Sequence, residues 1–255
     1  MENRYPLFAG GRILKKESLW DLRDYAYGGW QLQYADYTDG VIKGCRVRVE
    51  GSNLIVGKGM MKFGDFIYLM DEETKIPYRA ENRITVLKAS FEIKREHSDY
   101  LTYEVRFFLD HELERKENQI ELCRFHLREG SVLRDRYESF SDMGTEYDTV
   151  NLIYATIAGR GSERLHPEVL IAFAKEMQGQ NKSNLEDLFF CYQVLQNAGE
   201  VENEVLDVFF SCRGLEMGVD RNIIKKNIYF DGLATMLNSQ RNYRVDSDRK
   251  KIIVD

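Results

Sequence analysis

The run Tyr37–Met70, YTDGVIKGCRVRVEGSNLIVGKGMMKFGDFIYLM, decides how this chain is read. Its apolar clusters are too short for helices. Val47 and Val49 alternate with Arg46, Arg48 and Glu50 at the two-residue period of a half-buried strand. Glycines at 40, 44, 51, 57, 59 and 64 punctuate the run where tight turns and bulges need them. The reading is a compact β-meander that holds a surface, with no catalytic cleft written into it.

Strands continue on the C-terminal side. A second group starts near Ile84, where Phe91–Lys94 and Tyr100–Leu109 flank a polar hairpin turn, Glu96–Asp99. Val105, Phe107 and Leu109 share a face with Leu101 and Tyr103. In Ile120–Leu127 apolar residues occupy both faces, as in a strand covered on two sides. On the N-terminal side, Tyr5–Ile13 reads as extended with a bend at Gly10-Gly11. A short helix over Leu19–Tyr25 follows, capped by Ser18 and ended by Gly28-Gly29.

Beyond Gly130 the spacing changes. Pro167 opens a helix with Val169, Leu170, Phe173, Ala174 and Met177 on one face. Ser183 and Glu186 form a capping box, followed by the apolar residues Leu185, Leu188, Phe189, Tyr192 and Leu195, with Gly199 as the stop. Val201–Arg213 is a third helix ending at Gly214, and Asp220 caps a fourth through Ile223, Ile224 and Ile228. The expectation is an α+β protein: an antiparallel β-rich domain over 1–136, a small helical domain over 137–238 and a polar C-terminal tail over 239–255.

Composition narrows the classes of function. The 255 residues are 43% hydrophobic and 31% charged, which is ordinary for a globular protein. The net charge is −6, and the one basic cluster, Arg241 to Lys251, is interrupted by Asp246 and Asp248, so nucleic acid is not an expected partner. Cys45, Cys123, Cys191 and Cys212 lie far apart with no C-x-x-C pair and read as buried reduced thiols. No stretch has the length of a membrane span, and the N-terminus lacks the apolar core of a signal peptide, which implies synthesis in the cytoplasm.

The residue types that carry catalysis form no recognisable constellation. Between Gly51 and Gly57-Lys58-Gly59 stand five residues, three of them Leu54-Ile55-Val56. A phosphate-binding loop needs four, and a Ser or Thr after the Lys. His97, His111 and His126 have no zinc spacing, and His166 precedes Pro167 at a helix start. Asp36, Asp39, Asp65 and Asp71-Glu72-Glu73 match no calcium loop, although a glycosidase pair is defined by distance in space and not by spacing. No catalytic, metal or cofactor residue is assigned, and no cofactor is expected.

Four blocks stand in order along the chain: Phe8–Leu14 (FAGGRIL) with Ser18-Leu19-Trp20, Tyr37–Gly44 with Ile55–Gly59, Ile120–Leu127 followed by Gly130, and Glu146–Val150. Taken together they resemble the baseplate and tail-fibre-attachment proteins of phages and phage-derived contractile tails. The likeness runs over about the first 175 residues. It implies a non-enzymatic structural or adaptor subunit of a phage-like tail baseplate, assembled in several copies with other tail or baseplate proteins. No fibre-like extension follows the helices in this sequence, which fits a fibre-free adaptor or a relic in a prophage or chromosomal cluster. Candidate contact residues are Trp20, Trp30, Tyr34, Tyr37, Phe63 and Tyr68, with core packing the alternative for each. Two other classes stay open. One is a carbohydrate-binding β-module using Trp30, Tyr34 and Asp36, and the other is a glycoside-type hydrolase built on converging carboxylates.

Overall fold

The computed structural model describes residues 6–11, 13–94, 101–179, 184–215 and 226–249. Antiparallel sheets fill the N-terminal part and helices the C-terminal part, so the protein is α+β.

The opening meander folds into two three-stranded sheets whose strands interleave along the chain. β1 (Gly40–Gly44), β4 (Gly59–Phe63) and β5 (Phe66–Met70) make one. β2 (Val47–Glu50), β3 (Asn53–Val56) and β6 (Thr74–Pro77) make the other. Two-residue turns close both hairpins, Gly51-Ser52 between Glu50 and Asn53, and Gly64-Asp65 between Phe63 and Phe66. Gly64 sits at φ +56°, and its N–H donates to Asp39 Oδ1 at 2.8 Å. The phosphate-loop look-alike is β3 running into the link to β4.

A third sheet has the order β8-β7-β9, with β7 (Ile84–Lys94) between β8 (Thr102–Asp110) and β9 (Gln119–His126). The turn expected at Glu96–Asp99 and His97 lie outside the described residues; among the described residues the pairing runs to Lys94 opposite Thr102. β9 is covered on both faces, with Ile120, Leu122, Cys123 and Phe125 buried. Lys88 is fully buried in the middle strand. Its ammonium donates to Asp110 at 2.8 Å and to the Glu114 carbonyl at 2.6 Å, which replaces its hydration.

Sheets and helices are joined by an irregular strap, residues 149–164. Val150, Leu152, Ile153, Ala155, Ile157 and Ala158 are buried there, so its backbone groups need partners other than water. They find them on two sheets. Val41 N–H donates to Thr156 O and Ala158 N–H to Val41 O, each at 2.9 Å, while Thr156 N–H donates to Glu121 O at 2.7 Å. The strap thus ties β1 to β9. Glu121, also buried, is held by both arms of Arg124 at 2.7 Å, whose guanidinium lies 3.6 Å over Tyr154.

The helices depart from expectation in instructive ways. α1 (Lys16–Gln33) is far longer than the expected Leu19–Tyr25 and runs straight through Gly28-Gly29. Its N-cap is Lys15 with no side-chain cap, and Ser18 lies inside it. Residues 6–11 and 13–15 form no strand. α2 (Pro167–Gln178) is as read, with the five named residues buried, and His166 Nδ1 accepts the Glu168 N–H at 3.1 Å. α3 (Leu185–Gln196) is capped one residue later than expected, by Asn184 with Asp187 in a reciprocal box; Ser183 lies outside the described residues. α4 (Asn203–Cys212) ends before Gly214, and α5 (Lys226–Arg249) continues through the segment read as a polar tail. Asp220, Ile223 and Ile224 are also outside the described residues. α5 packs Phe230, Leu233, Met236 and Leu237 inward, with Phe230 stacked 4.6 Å from Phe140. One apolar core runs from β1 through the sheets to α5.

Candidate assembly surface

α1 buries none of its eighteen residues. It nonetheless carries Leu19, Trp20, Leu22, Tyr25, Tyr27, Trp30 and Leu32, each 47–80% exposed. With Leu7, Phe8, Ile13 and Leu14 before it, this N-terminal stretch holds eleven of the twenty-four exposed large hydrophobic side chains among the described residues. Isolated exposed apolar residues are ordinary, but a contiguous run marks an interaction surface.

The helix touches its own body along β5. Tyr27 stacks 6.2 Å from Phe66, and Gln31 Nε2 donates to Asp65 O at 3.1 Å. Between helix and sheet lies an open groove of about 1350 Å³, walled by Tyr27 and Trp30 on one side and Phe66, Leu69, Leu101 and Tyr103 on the other. On that sheet side Phe66 and Tyr103 stack nearly parallel at 3.6 Å.

The six residues singled out in the sequence fall into three places. Trp20 stands apart on α1, with the Lys16 ammonium 5.1 Å from its ring. Trp30, Tyr34 and Tyr37 form a continuous ladder: Trp30 lies parallel to Tyr34 at 6.1 Å, and Tyr34 meets Tyr37 edge-on at 5.1 Å. Arg160 and Arg164 then lie 5.8 Å from the Tyr37 ring. Burial raises the Tyr34 hydroxyl pKa, with Tyr37 and Glu200 adding to the rise and Arg164 opposing it. Phe63 is half-buried and stacks 4.5 Å from Phe91. Tyr68 must be corrected as a free contact. It is 5% exposed because its side chain points from β5 into the core, edge-on to Phe66 and Phe91.

A second apolar face was missed. Leu185, Leu188, Phe189, Tyr192 and Leu195, the apolar residues named for α3 in the sequence, are 37–81% exposed. Asp187, Phe190, Cys191 and Val194 point inward instead. The signal was present in the sequence, since α3 is apolar on both sides and only one can face the core.

The remaining chemistry is dispersed. His111 bonds the Ile84 carbonyl at 3.2 Å and pairs with Glu81 at 3.0 Å, and His126 packs against Tyr147. Asp39 caps the Gly64 turn, and the Asp36 carbonyl accepts from Gly161. Glu202 accepts the Arg160 N–H at 3.0 Å and faces Arg164. Among the described residues no group of His, Cys, Asp and Glu is placed to hold a metal ion, and no helix is long and apolar enough to cross a membrane. Cys45, Cys123 and Cys191 are buried, whereas Cys212 is exposed at the end of α4, against expectation.

The arrangement is that of an α+β scaffold presenting apolar faces. No protein-family model matches the chain, and no curated protein does. Solved structures resemble it weakly, among them three from type VI secretion and TssK. A crystal structure of TssK gives a TM-score of 0.33 at 7% identity, covering 94% of this chain and 72% of that one. The TssK–TssF–TssG baseplate subcomplex of the type VI secretion system gives 0.36 at 8%, covering 94% and 99%. The baseplate complex from the type VI secretion system gives 0.38 at 10%, covering 94% and 70%. Likeness at this level assigns neither partner nor role.

Proposed function

We propose that this chain is a non-enzymatic structural or adaptor subunit of a phage-like tail baseplate, made in the cytoplasm and assembled into a particle. Its work is protein–protein assembly with other tail or baseplate proteins. The ordered sequence blocks supply the family resemblance. The observation that carries the assembly reading is α1, a helix of eighteen residues with none buried and seven large apolar side chains exposed. A helix of this length is marginal in water unless tertiary contacts cover an apolar face. Trp20, Trp30, Tyr34 and Tyr37 are the proposed contacts on this side. A carbohydrate-binding β-module is the alternative, and it would use Trp30 with Tyr34, whose rings lie parallel with centroids 6.1 Å apart.

The test is made on source cells. Large particles are sedimented from an induced lysate and the pellet is analysed by mass spectrometry. Recovery of the chain in stoichiometric amounts with sheath and tube proteins is expected. Its consistent absence from particles, with the protein free in the supernatant, would overturn the proposal.

A further inference from the structure

We propose that the groove between α1 and β5 takes an extended apolar segment of a partner protein. The segment adds to β5 as a fourth strand and sets an acidic side chain against Lys43 and Lys58. β5 is the outer strand of its sheet and pairs with β4 alone. The two-residue turn Gly64-Asp65 fixes the alternation of that ladder. Phe66, Tyr68 and Met70 exchange hydrogen bonds with β4, so the N–H and C=O of Ile67 and Leu69 point the other way. No group among the described residues meets them. This edge opens into the groove, because all five residues of β5 line it in succession. A sheet face would offer only alternate residues.

Strand edges that stay uncovered are guarded by a charge, a proline or a bulge. Phe66-Ile67-Tyr68-Leu69-Met70 has no charged residue and no proline, and its register with β4 runs without a shift. Leu69 is 72% exposed on it. Free backbone donors and acceptors beside apolar walls are matched by a second extended backbone, which presents both at the same spacing. The groove also suits a chain better than a compact ligand. Its volume of about 1350 Å³ exceeds the roughly 300–1,000 Å³ of small-molecule sites. Tyr27 and Trp30 on one wall and Leu101 on the other would flank the added strand, so apolar residues at alternate positions fit it.

Charge sets the chemistry of one end. A depression of about 470 Å³ shares Met60, Leu69 and Met70 with the groove and is lined further by Lys43, Lys58 and Asp71. The two exposed ammoniums outnumber the single carboxylate, and neither forms an ion pair among the described residues. An acidic residue at that end of the added strand would complement them. Such a contact rests on the assembly reading of α1 and gives one partner on that side its chemistry.

The experiment pans a display library of random peptides against the purified full chain and follows hydrogen exchange with the tightest peptide bound. Peptides with alternate apolar residues and an acidic residue near one end should be enriched. The Ile67 and Leu69 amides should exchange more slowly once peptide is bound. Leu69→Pro removes an N–H that β4 does not use, so the hairpin is kept. Its affinity should fall roughly tenfold, the cost of one lost hydrogen bond whose partner stays unpaired. Lys43→Glu with Lys58→Glu, at exposed positions, should abolish the acidic preference. Circular dichroism checks the fold of each variant. No enriched peptide, peptides that bind as helices, unchanged exchange at Ile67 and Leu69, or an acidic preference that survives the lysine changes would each overturn the proposal. Recovery in particles is read separately, so a chain found with sheath and tube proteins that takes no such peptide loses this contact alone.

Discussion

Gly44 and Gly59 lie directly opposite each other in the register of β1 and β4, and neither leaves room for a side chain. A Cβ on Gly44, which sits at φ +72°, would lie 2.3 Å from the Lys58 carbonyl oxygen. One on Gly59 would lie 2.4 Å from Cys45 N and Lys43 O and 2.6 Å from the Cys45 sulfur. The obstructing atoms are mostly backbone, so they cannot rotate away. This is the corner at which the chain crosses between its first two sheets.

Gly59→Ala should therefore destabilise the fold by about 2–4 kcal/mol, as strained or overpacked backbone sites do. For a chain of this size that lowers the thermal midpoint by roughly 5–15 °C. Gly28→Ala on α1, where nothing lies within 4 Å of the added atom, should leave the midpoint unchanged or raise it. Calorimetry on the two variants separates them, and equal effects would refute the corner argument.

Trp20 and Tyr68 should behave as opposites. Trp20→Ala removes a side chain 48% exposed on a helix with no buried residue, so the thermal midpoint should move little, by about 0.5 kcal/mol or less in stability. Incorporation into particles should fall sharply. Tyr68→Ala empties a core position between Phe66 and Phe91 and should cost about 3–5 kcal/mol. A large loss of stability with Trp20→Ala would make Trp20 structural.

These contrasts mark how far the sequence could be read. The alternation at Val47 and Val49 and the turns at Gly51 and Gly64 located the hairpins because backbone geometry allows few other outcomes. The buried face of α2 was legible because only one face is apolar. α3 was not, since Leu188 and Phe189 compete with Phe190 and Val194, and periodicity does not say which side meets α2. Gly28-Gly29 reads as a helix stop, yet α1 continues, because propensity is a weak prior that context overrides. The aromatic ladder from Trp30 to Tyr37 was nameable from composition, whereas the groove wall at Leu101 and Tyr103 depends on a pairing sixty residues or more away from α1 and has no local signal.

Asp142 should give the protein a measurable acid sensitivity. Both arms of Arg134 bind its carboxylate, and it also accepts the Glu138 N–H and the Thr145 hydroxyl at 2.9 Å. The Arg134 hydrogen bonds, against some desolvation, hold its pKa well below the usual carboxylate range. A depressed folded pKa gives stability that is complete above the unfolded value of about 3.9 and erodes as pH falls toward the folded one. Asp142→Asn should cost about 2 kcal/mol at pH 7, trimmed by solvent screening because Arg134 is 38% exposed. At pH 3 the gap between variant and wild type should narrow. Denaturant titrations at both values check this, and a gap independent of pH would assign the loss to packing.

Thiol chemistry gives the last expectation, and it reports on the same corner as Gly59. Burial pushes the Cys45 and Cys191 thiols up to about 12 and raises Cys123 as well, while Cys212 is exposed. The thiolate is the reactive form, so at pH 8 a thiol with pKa near 12 is ionised about once in ten thousand molecules. Burial then removes access to that small fraction. A chromogenic disulfide reagent should therefore modify Cys212 quickly in the native protein and the other three only on unfolding. In Gly59→Ala the added methyl would collide with the Cys45 sulfur, so Cys45 should become reactive before Cys123 or Cys191. Peptide mapping of the first modified cysteines decides the matter: simultaneous exposure of all three buried thiols would mean that the corner opens only when the whole fold does.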